Sequence, residues 1–150
     1  MKKVVLLGST GSIGTSTCKV AEDLPDEISL VGLAAGENDG LLREQVSQFK
    51  PRAISIHNPE KAEALARDDS IDAEVFFGPE GLIELATLPE ADIVLIAIVG
   101  TAGLQPALAA IRAGKDIAVA SKEILVMAGE VVMAEARRHG VKVLAVDSEH

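Results

Sequence analysis

Three groups of residues have the types and spacing that binding or catalysis requires. The first is a glycine-rich segment, GSTGSIG at residues 8–14, which follows a short apolar run and precedes an amphipathic stretch. Between a strand and a helix, such a turn brings backbone N–H groups and a helix N-terminus to a pyrophosphate. Its spacing is G-x-x-G-x-x-G rather than the commoner G-x-G-x-x-G, and the P-loop pattern is absent from the sequence. This context favours dinucleotide binding over a turn whose glycines serve only helix packing.

An acidic residue near the end of the second predicted strand bears on the choice of nicotinamide cofactor. Domains that bind NAD carry an acid ~20 residues beyond the glycine loop, where it holds the ribose 2′-hydroxyl. Glu37 lies close to that place. Taken alone, Glu37 favours NAD, and the alternative interpretation is a solvated turn residue.

The second group, Ser121, Lys122 and Glu123, follows a predicted strand, and the loop GTAG at residues 100–103 follows the strand before it. Ligands of open α/β sheets bind outside the carboxyl ends of the strands. Lys122 could therefore be a charged substrate contact or a Schiff-base amine. The alternative is that Lys122 and Glu123 are the solvated first turn of a helix.

The third group is DSEH at residues 147–150. In an extended segment, residues two apart share a face, so Asp147 and Glu149 can direct carboxylates to one point that suits a hard ion such as Mg²⁺. The alternative is a pair of surface acids. Cys18 is predicted to be a buried apolar residue rather than a nucleophile, and His57 and His139 are predicted to be surface residues.

Short apolar runs rich in Val and Ile alternate along the chain with longer amphipathic or Ala-rich stretches. This alternation is typical of a parallel sheet covered by helices on both faces. We expect one α/β domain with a doubly wound, mostly parallel sheet and a Rossmann-like NAD(P)-binding fold. The predicted strands are residues 4–7, 29–34, 53–56, 74–77, 93–98, 117–120 and 141–146. The predicted helices are residues 13–24, 41–49, 59–67, 79–88, 104–113 and 126–139.

The composition is that of a globular chain, with 48% hydrophobic and 25% charged residues among 150. A formal net charge of -9 opposes binding to nucleic-acid phosphates, and the absence of Trp and Tyr removes the usual platforms for base stacking. The first apolar run ends at Gly8, too soon for a signal peptide, and no run approaches the ~20 residues of a membrane span. A single cysteine cannot form an internal disulfide. We therefore expect a cytoplasmic protein without nucleic-acid or membrane partners.

Four segments, in their order and spacing, closely resemble the 1-deoxy-D-xylulose 5-phosphate reductoisomerase family. They are GSTGSIG at 8–14, AIVGTAGL at 97–104 with AAIRAGK at 109–115, SKE at 121–123, and VDSEH at 146–150. The resemblance implies an enzyme that depends on NADPH and on Mg²⁺ or Mn²⁺. Its small-molecule substrate would be a sugar phosphate, 1-deoxy-D-xylulose 5-phosphate. The enzyme would isomerise this ketose phosphate and reduce it to 2-C-methyl-D-erythritol 4-phosphate, in non-mevalonate isoprenoid synthesis.

The resemblance also implies roles for individual residues. The expected pyrophosphate contacts are Thr10, Gly11, Ser12 and Ile13, and the expected contacts on the adenosine-ribose side are Gly36, Glu37 and Asn38. Ser121 and Glu123 would contact the cofactor, and Lys122 would be both substrate-binding and catalytic. Asp147 and Glu149 would be two of three carboxylate metal ligands, Ser148 and Glu149 would contact the substrate, and Glu149 would also be catalytic.

Two positions depart from the family pattern. Glu37 stands where family members often have Lys or Arg to pair with the 2′-phosphate of NADPH, which weakens the expected preference for that cofactor. We expect the preference to come instead from Asn38, Arg43 and loop hydroxyl groups. Ser121 stands where members usually have Asn, which affects one hydrogen bond.

In this family the third metal ligand, the loop that closes over the substrate and the C-terminal domain lie beyond position 150. We therefore expect residues 1–150 to be the NADPH-binding domain, inactive alone, of an enzyme that is a homodimer at full length. Two alternatives have the same type of loop. A semialdehyde-type dehydrogenase would need a catalytic cysteine downstream of the sheet, and Cys18 is in the wrong place. A non-catalytic NAD(P)-sensing module would have no use for Lys122, Asp147 or Glu149.

Overall fold

The computed structural model describes residues 1–146, which form seven strands and six helices in strict alternation. The strands are β1 (Lys2–Leu7), β2 (Ile28–Ala35), β3 (Ala53–Ile56), β4 (Glu74–Phe77), β5 (Ile93–Ile96), β6 (Asp116–Val119) and β7 (Val143–Ala145). The helices are α1 (Ser12–Asp23), α2 (Asp39–Phe49), α3 (Pro59–Ala66), α4 (Gly78–Ala86), α5 (Leu104–Arg112) and α6 (Lys122–His139).

All strand pairs are parallel, and the order across the sheet is β4-β3-β2-β1-β5-β6-β7. Successive strands are added on one side of β1 as far as β4, and β5 then pairs with the other side of β1. The direction of winding therefore reverses between β1 and β5. In open α/β sheets this reversal opens a crevice at the carboxyl edge, which is the usual place for a ligand.

Alternate residues of β1 enter two separate hydrophobic cores, as expected for a strand covered on both faces. Val5 and Leu7 belong to the core that packs under α4, α5 and α6. Val4 and Leu6 belong to the core that packs under α1, α2 and α3. The predicted doubly wound α/β fold is therefore confirmed.

Several predicted boundaries were wrong. The helix predicted from residue 126 begins at Lys122, because the buried Ser121 caps it, and Ala128 interrupts it with non-helical backbone angles (φ -135, ψ 19). β5 ends at Ile96 rather than at residue 98. β7 spans only three residues, Val143–Ala145. Within residues 1–146, no helix is long and apolar enough to span a bilayer.

Candidate functional site

A cavity of about 410 Å³ opens where the carboxyl ends of β1, β2, β3 and β5 meet. Its walls are built mostly from small side chains and exposed backbone. They come from the glycine loop, from the end of β2 and from the segment after β5, and include Gly8, Thr10, Gly11, Ala34, Ala35, Gly36, Ala97, Ile98 and Val99. The cavity lies at the point where the winding of the sheet reverses. It has the position and the lining expected of a nucleotide pocket.

Two of the three loop glycines are required by close packing of the backbone. Gly8 has a positive φ of 98, and a Cβ at this position would lie 2.4 Å from the carbonyl oxygen of Ala97. A Cβ at Gly14 would lie 2.0 Å from the carbonyl oxygen of Gly8. At Gly11 the nearest atom to a Cβ is 3.8 Å away, so the side of the loop at Gly11 is open. The loop is thus tightly packed against the protein at both ends and accessible at its centre.

Hydrogen bonds from neighbouring elements hold the loop in place. The N–H groups of Gly8 and Ser9 both donate to the carbonyl oxygen of Ala34, at 2.9 and 2.8 Å. The Nε2 atom of Gln45 on α2, a buried side chain, donates to the carbonyl oxygen of Ser9 at 2.9 Å. The contact of Gln45 could not be predicted from the sequence, because nothing in the spacing between residues 9 and 45 indicates it.

The N-terminus of α1 has the features of an anion site. Gly11 is its N-cap, no side chain caps it, and its first turn carries no acidic residue. The first N–H groups of an α-helix have no intrahelical acceptor, and they carry a partial positive charge. The open centre of the loop at Gly11 therefore adjoins N–H groups suited to a pyrophosphate.

A second cavity, of about 360 Å³, brings two of the predicted groups together. Gly11, Ser12 and Ile13 line it on one side, and Ser121, Lys122 and Glu123 line it on the other. Gly11 and the segment 97–99 belong to both cavities, so the two are contiguous. Val99 lines both cavities and is 86% exposed. The groove is therefore continuous from the end of β2 to the start of α6.

Ser121 connects the loop after β5 to the start of α6. Its hydroxyl donates to the carbonyl oxygen of Gly100 at 2.9 Å, and its Oγ accepts from the N–H of Ile124 at 3.4 Å. Lys122 and Glu123 are exposed in the first turn of α6. The alternative interpretation, a solvated helix first turn, thus describes the position of Lys122 and Glu123, and that first turn also lines the groove.

The residues after β2 that were expected to contact the cofactor make other contacts in the structure. The side chain of Glu37 is exposed, and that of Asn38 caps α2 by accepting from the N–H of Leu41 at 3.0 Å. Arg43, expected to help select NADPH, instead forms an ion pair with Asp68 at 2.5 Å and lines a separate cavity. Lys61, which sequence analysis did not single out, donates from Nζ to the carbonyl oxygen of Glu37 at 2.6 Å.

Three other residues could in principle do chemistry, namely Cys18, His57 and His139, and they lie in different environments. Cys18 is buried, and this burial raises the pKa of its thiol to about 11, as expected for a packing residue rather than a nucleophile. His139 is exposed, as predicted. His57 is also exposed, but it lines the first cavity, which the spacing of residues did not indicate.

The predicted metal and substrate residues Asp147, Ser148 and Glu149, with His150, lie outside the described residues. Within residues 1–146, no cluster of three or more His, Cys, Asp or Glu side chains could hold a metal ion.

Comparison with known proteins identifies the family. The model of the 1-deoxy-D-xylulose 5-phosphate reductoisomerase family matches residues 4–129. The chain belongs to this family. A 1-deoxy-D-xylulose 5-phosphate reductoisomerase of Shouchella clausii (strain KSM-K16) is 47% identical over 150 residues. That alignment covers 100% of this chain and 40% of the relative, so the chain spans about 40% of the length of the curated reductoisomerase.

Solved structures of reductoisomerases share the fold. The chain is similar to 1-deoxy-D-xylulose 5-phosphate reductoisomerase from Zymomonas mobilis in complex with NADPH, with a TM-score of 0.91 and 37% identity, covering 99% of this chain and 39% of that one. It is also similar to DOX-P reductoisomerase in complex with NADPH, fosmidomycin and magnesium, with a TM-score of 0.93 and 38% identity, covering 99% of this chain and 37% of that one. The Rossmann-like fold is thus confirmed by relatives.

Proposed function

We propose that this chain supplies the NADPH-binding domain of a 1-deoxy-D-xylulose 5-phosphate reductoisomerase. The observation that carries the proposal is the glycine loop beside the N-terminus of α1, which no side chain caps. The loop leaves space for a ligand at Gly11, whereas at Gly8 and Gly14 it packs tightly against other backbone atoms. The loop fits a dinucleotide because a pyrophosphate needs close approach to backbone N–H groups without an intervening side chain. The two relatives solved with NADPH support this choice of cofactor.

The groove suggests how the cofactor lies. Thr10, Gly11, Ser12 and Ile13 would hold the pyrophosphate at the start of α1. The adenosine half would occupy the cavity near Gly36, Glu37 and Asn38. The nicotinamide half would extend toward Ser121 and Glu123, which line the contiguous second cavity.

For the complete enzyme we propose the reaction of the family: isomerisation of 1-deoxy-D-xylulose 5-phosphate and reduction to 2-C-methyl-D-erythritol 4-phosphate. NADPH would supply the hydride. Lys122, exposed at the second cavity, would bind the anionic substrate and hold it near the nicotinamide. Holding two reactants in the correct geometry lowers the activation barrier by up to roughly 7–11 kcal/mol. A non-catalytic sensor would not need a lysine at this place.

A divalent ion, Mg²⁺ or Mn²⁺, belongs to the same proposal. Asp147 and Glu149 would be two of its ligands, with Ser148 and Glu149 also contacting substrate and Glu149 catalytic. Support comes from the two-residue spacing of the carboxylates and from the relative solved with magnesium. Two carboxylates leave most positions of an octahedral ion to other ligands, so we propose that residues outside this chain complete the site.

The catalytic and C-terminal domains would lie outside residues 1–150, and the full-length protein would be a cytoplasmic homodimer that acts on a sugar phosphate. The share of the relatives that the chain covers, about 40%, supports the first point.

The test compares this chain with the complete enzyme that contains it. The chain alone should bind NADPH but should not oxidise it in the presence of 1-deoxy-D-xylulose 5-phosphate and Mg²⁺. The complete enzyme should be active, and Asp147→Asn or Glu149→Gln should abolish its turnover while leaving NADPH binding intact. Asp26→Asn, an exposed acid before β2, is the matched control and should be fully active. Metal-dependent turnover by residues 1–150 alone would contradict the proposed division of the site.

A further inference from the structure

The side chain of Lys61 reaches from α3 to the loop after β2. Its Nζ donates to the carbonyl oxygen of Glu37 at 2.6 Å and lies 3.7 Å from Oδ1 of Asp39. The Oδ1 of Asn58 accepts from the N–H groups of Glu60 and Lys61, at 2.8 and 3.1 Å, and so fixes the start of α3. Because α3 follows β3 closely, this ammonium group is held at the carboxyl edge of the sheet, against Glu37, the residue that follows the cavity-lining Gly36.

Lys61 lies beside two acidic residues of the loop after β2. Glu37 and Asp39 are both acidic, so an additional phosphate near the adenosine ribose would be repelled unless a cation compensated for them. Arg43 does not provide that cation, because it pairs with Asp68 in a separate cavity. Lys61 on α3, in contrast, contacts this loop directly through the carbonyl oxygen of Glu37.

The ammonium group has donors to spare. A lysine ammonium carries three N–H donors, and the carbonyl of Glu37 uses one of them. The side chain is 36% exposed, so a ligand can reach the remaining donors without disturbing the fold. A phosphate on the ribose next to Gly36 and Glu37 would meet these donors.

We propose that Lys61 selects a 2′-phosphorylated adenosine at this site, so that the preference for NADPH over NADH comes from α3 rather than from the residues directly after β2. This inference rests on the proposed cofactor site. It deepens that proposal by naming the residue of this chain that contacts the phosphate.

The test measures the affinity of the chain for NADPH and for NADH, two ligands that differ only in the 2′-phosphate. Lys61→Met should weaken NADPH binding by ~10-fold or more, the usual scale for a hydrogen bond to a charged group. NADH affinity should stay within about twofold of wild type, since the ribose hydroxyl does not need the charge. Lys61→Arg should retain the preference for NADPH. Lys142→Met, the same change at the amino edge of the sheet, is the control and should alter neither affinity.

A second variant and a salt series keep the test decisive. Lys61→Gln retains a donor for the carbonyl of Glu37 but removes the charge, so it should also lose the preference for NADPH even if Lys61→Met proves unstable. Affinity for NADPH should fall more steeply with salt in the wild type than in Lys61→Gln.

The outcomes separate the two proposals. If the wild type prefers NADPH and Lys61→Met or Lys61→Gln keeps that preference, the assignment of Lys61 is wrong and the cofactor site stands. The same holds if the wild type binds both cofactors equally. If the folded wild type binds neither cofactor, the cofactor site itself is overturned, and the role of Lys61 with it.

Discussion

Gly14 packs directly against the carbonyl oxygen of Gly8. A Cβ on Gly14 would lie 2.0 Å from that oxygen and 2.7 Å from the Cα of Ser9. These are backbone atoms, and the N–H groups of Gly8 and Ser9 are themselves bound to Ala34 in β2, so the loop cannot yield easily. The first turn of α1 can therefore pack directly on the glycine loop because Gly14 has no side chain.

Gly14→Ala should destabilise the fold. Overpacking at such a site costs about 1–3 kcal/mol or more, because the added carbon forces the loop away from β2. Urea unfolding followed by circular dichroism measures the change, since the chain has no Trp or Tyr for fluorescence. The control is Gly129→Ala on α6, where an added Cβ meets no atom within 4 Å. This control should be neutral or slightly stabilising. Equal stability of the two variants would show that the loop can relax.

Gly11→Val should separate binding from folding. The backbone at Gly11 is extended (φ -79, ψ -179), and an added Cβ has its nearest neighbour at 3.8 Å, so the substitution should leave the unfolding midpoint almost unchanged. The new side chain would occupy the position proposed for the pyrophosphate. Calorimetric titration should then show NADPH affinity reduced at least ~100-fold. Unchanged affinity would remove Gly11 from the cofactor site.

Local patterns in the sequence were enough to predict the sheet and the glycine loop. All seven strands occur, because short Val- and Ile-rich runs bounded by turn residues allow few other assignments. The glycine loop lies between β1 and α1 as predicted, since that prediction also needed only adjacent residues. Local signals are sufficient where one element passes directly into the next.

Contacts between distant segments could not be predicted in this way. Gln45 reaches Ser9, and Lys61 reaches Glu37, across 36 and 24 residues of chain. Each pairing depends on how a helix is placed over the sheet, which spacing along the chain does not encode. The start of α6 was placed four residues too late, although Ser121, its N-cap, is a local capping signal.

The thiol of Cys18 should be unreactive in the folded chain. Burial raises its pKa from 9.0 to about 11, which lowers the thiolate fraction near pH 8 by roughly 100-fold. Labelling with a chromogenic disulfide should therefore be at least that much slower in buffer than in denaturing urea. The chain has one cysteine, so the signal belongs to Cys18 alone.

The same shift gives a pH dependence with a definite sign. Between pH 9.0 and about 11 the unfolded thiol loses its proton while the folded thiol keeps it, so the free energy of unfolding should fall as the pH rises through this window. Cys18→Ala should show a smaller fall over the same range. Rapid labelling of the native chain, or an identical pH profile in Cys18→Ala, would contradict the burial of the thiol.

Glu37→Lys should raise the preference for NADPH over NADH. The carboxylate of Glu37 is exposed beside the site proposed for the 2′-phosphate, where it would repel a phosphate and could accept from a ribose hydroxyl instead. Reversing its charge removes the repulsion and adds a second cation near Lys61, so the ratio of NADPH to NADH affinity should rise by ~10-fold. Glu22→Lys, the same substitution on an exposed position of α1, is the control for net charge alone. If Glu37→Lys and Glu22→Lys give the same ratio, the side chain of residue 37 faces away from the cofactor. The double variant Glu37→Lys with Lys61→Met then tests whether the two positions act on one phosphate. Residues that share a ligand group deviate from additivity, whereas independent positions add.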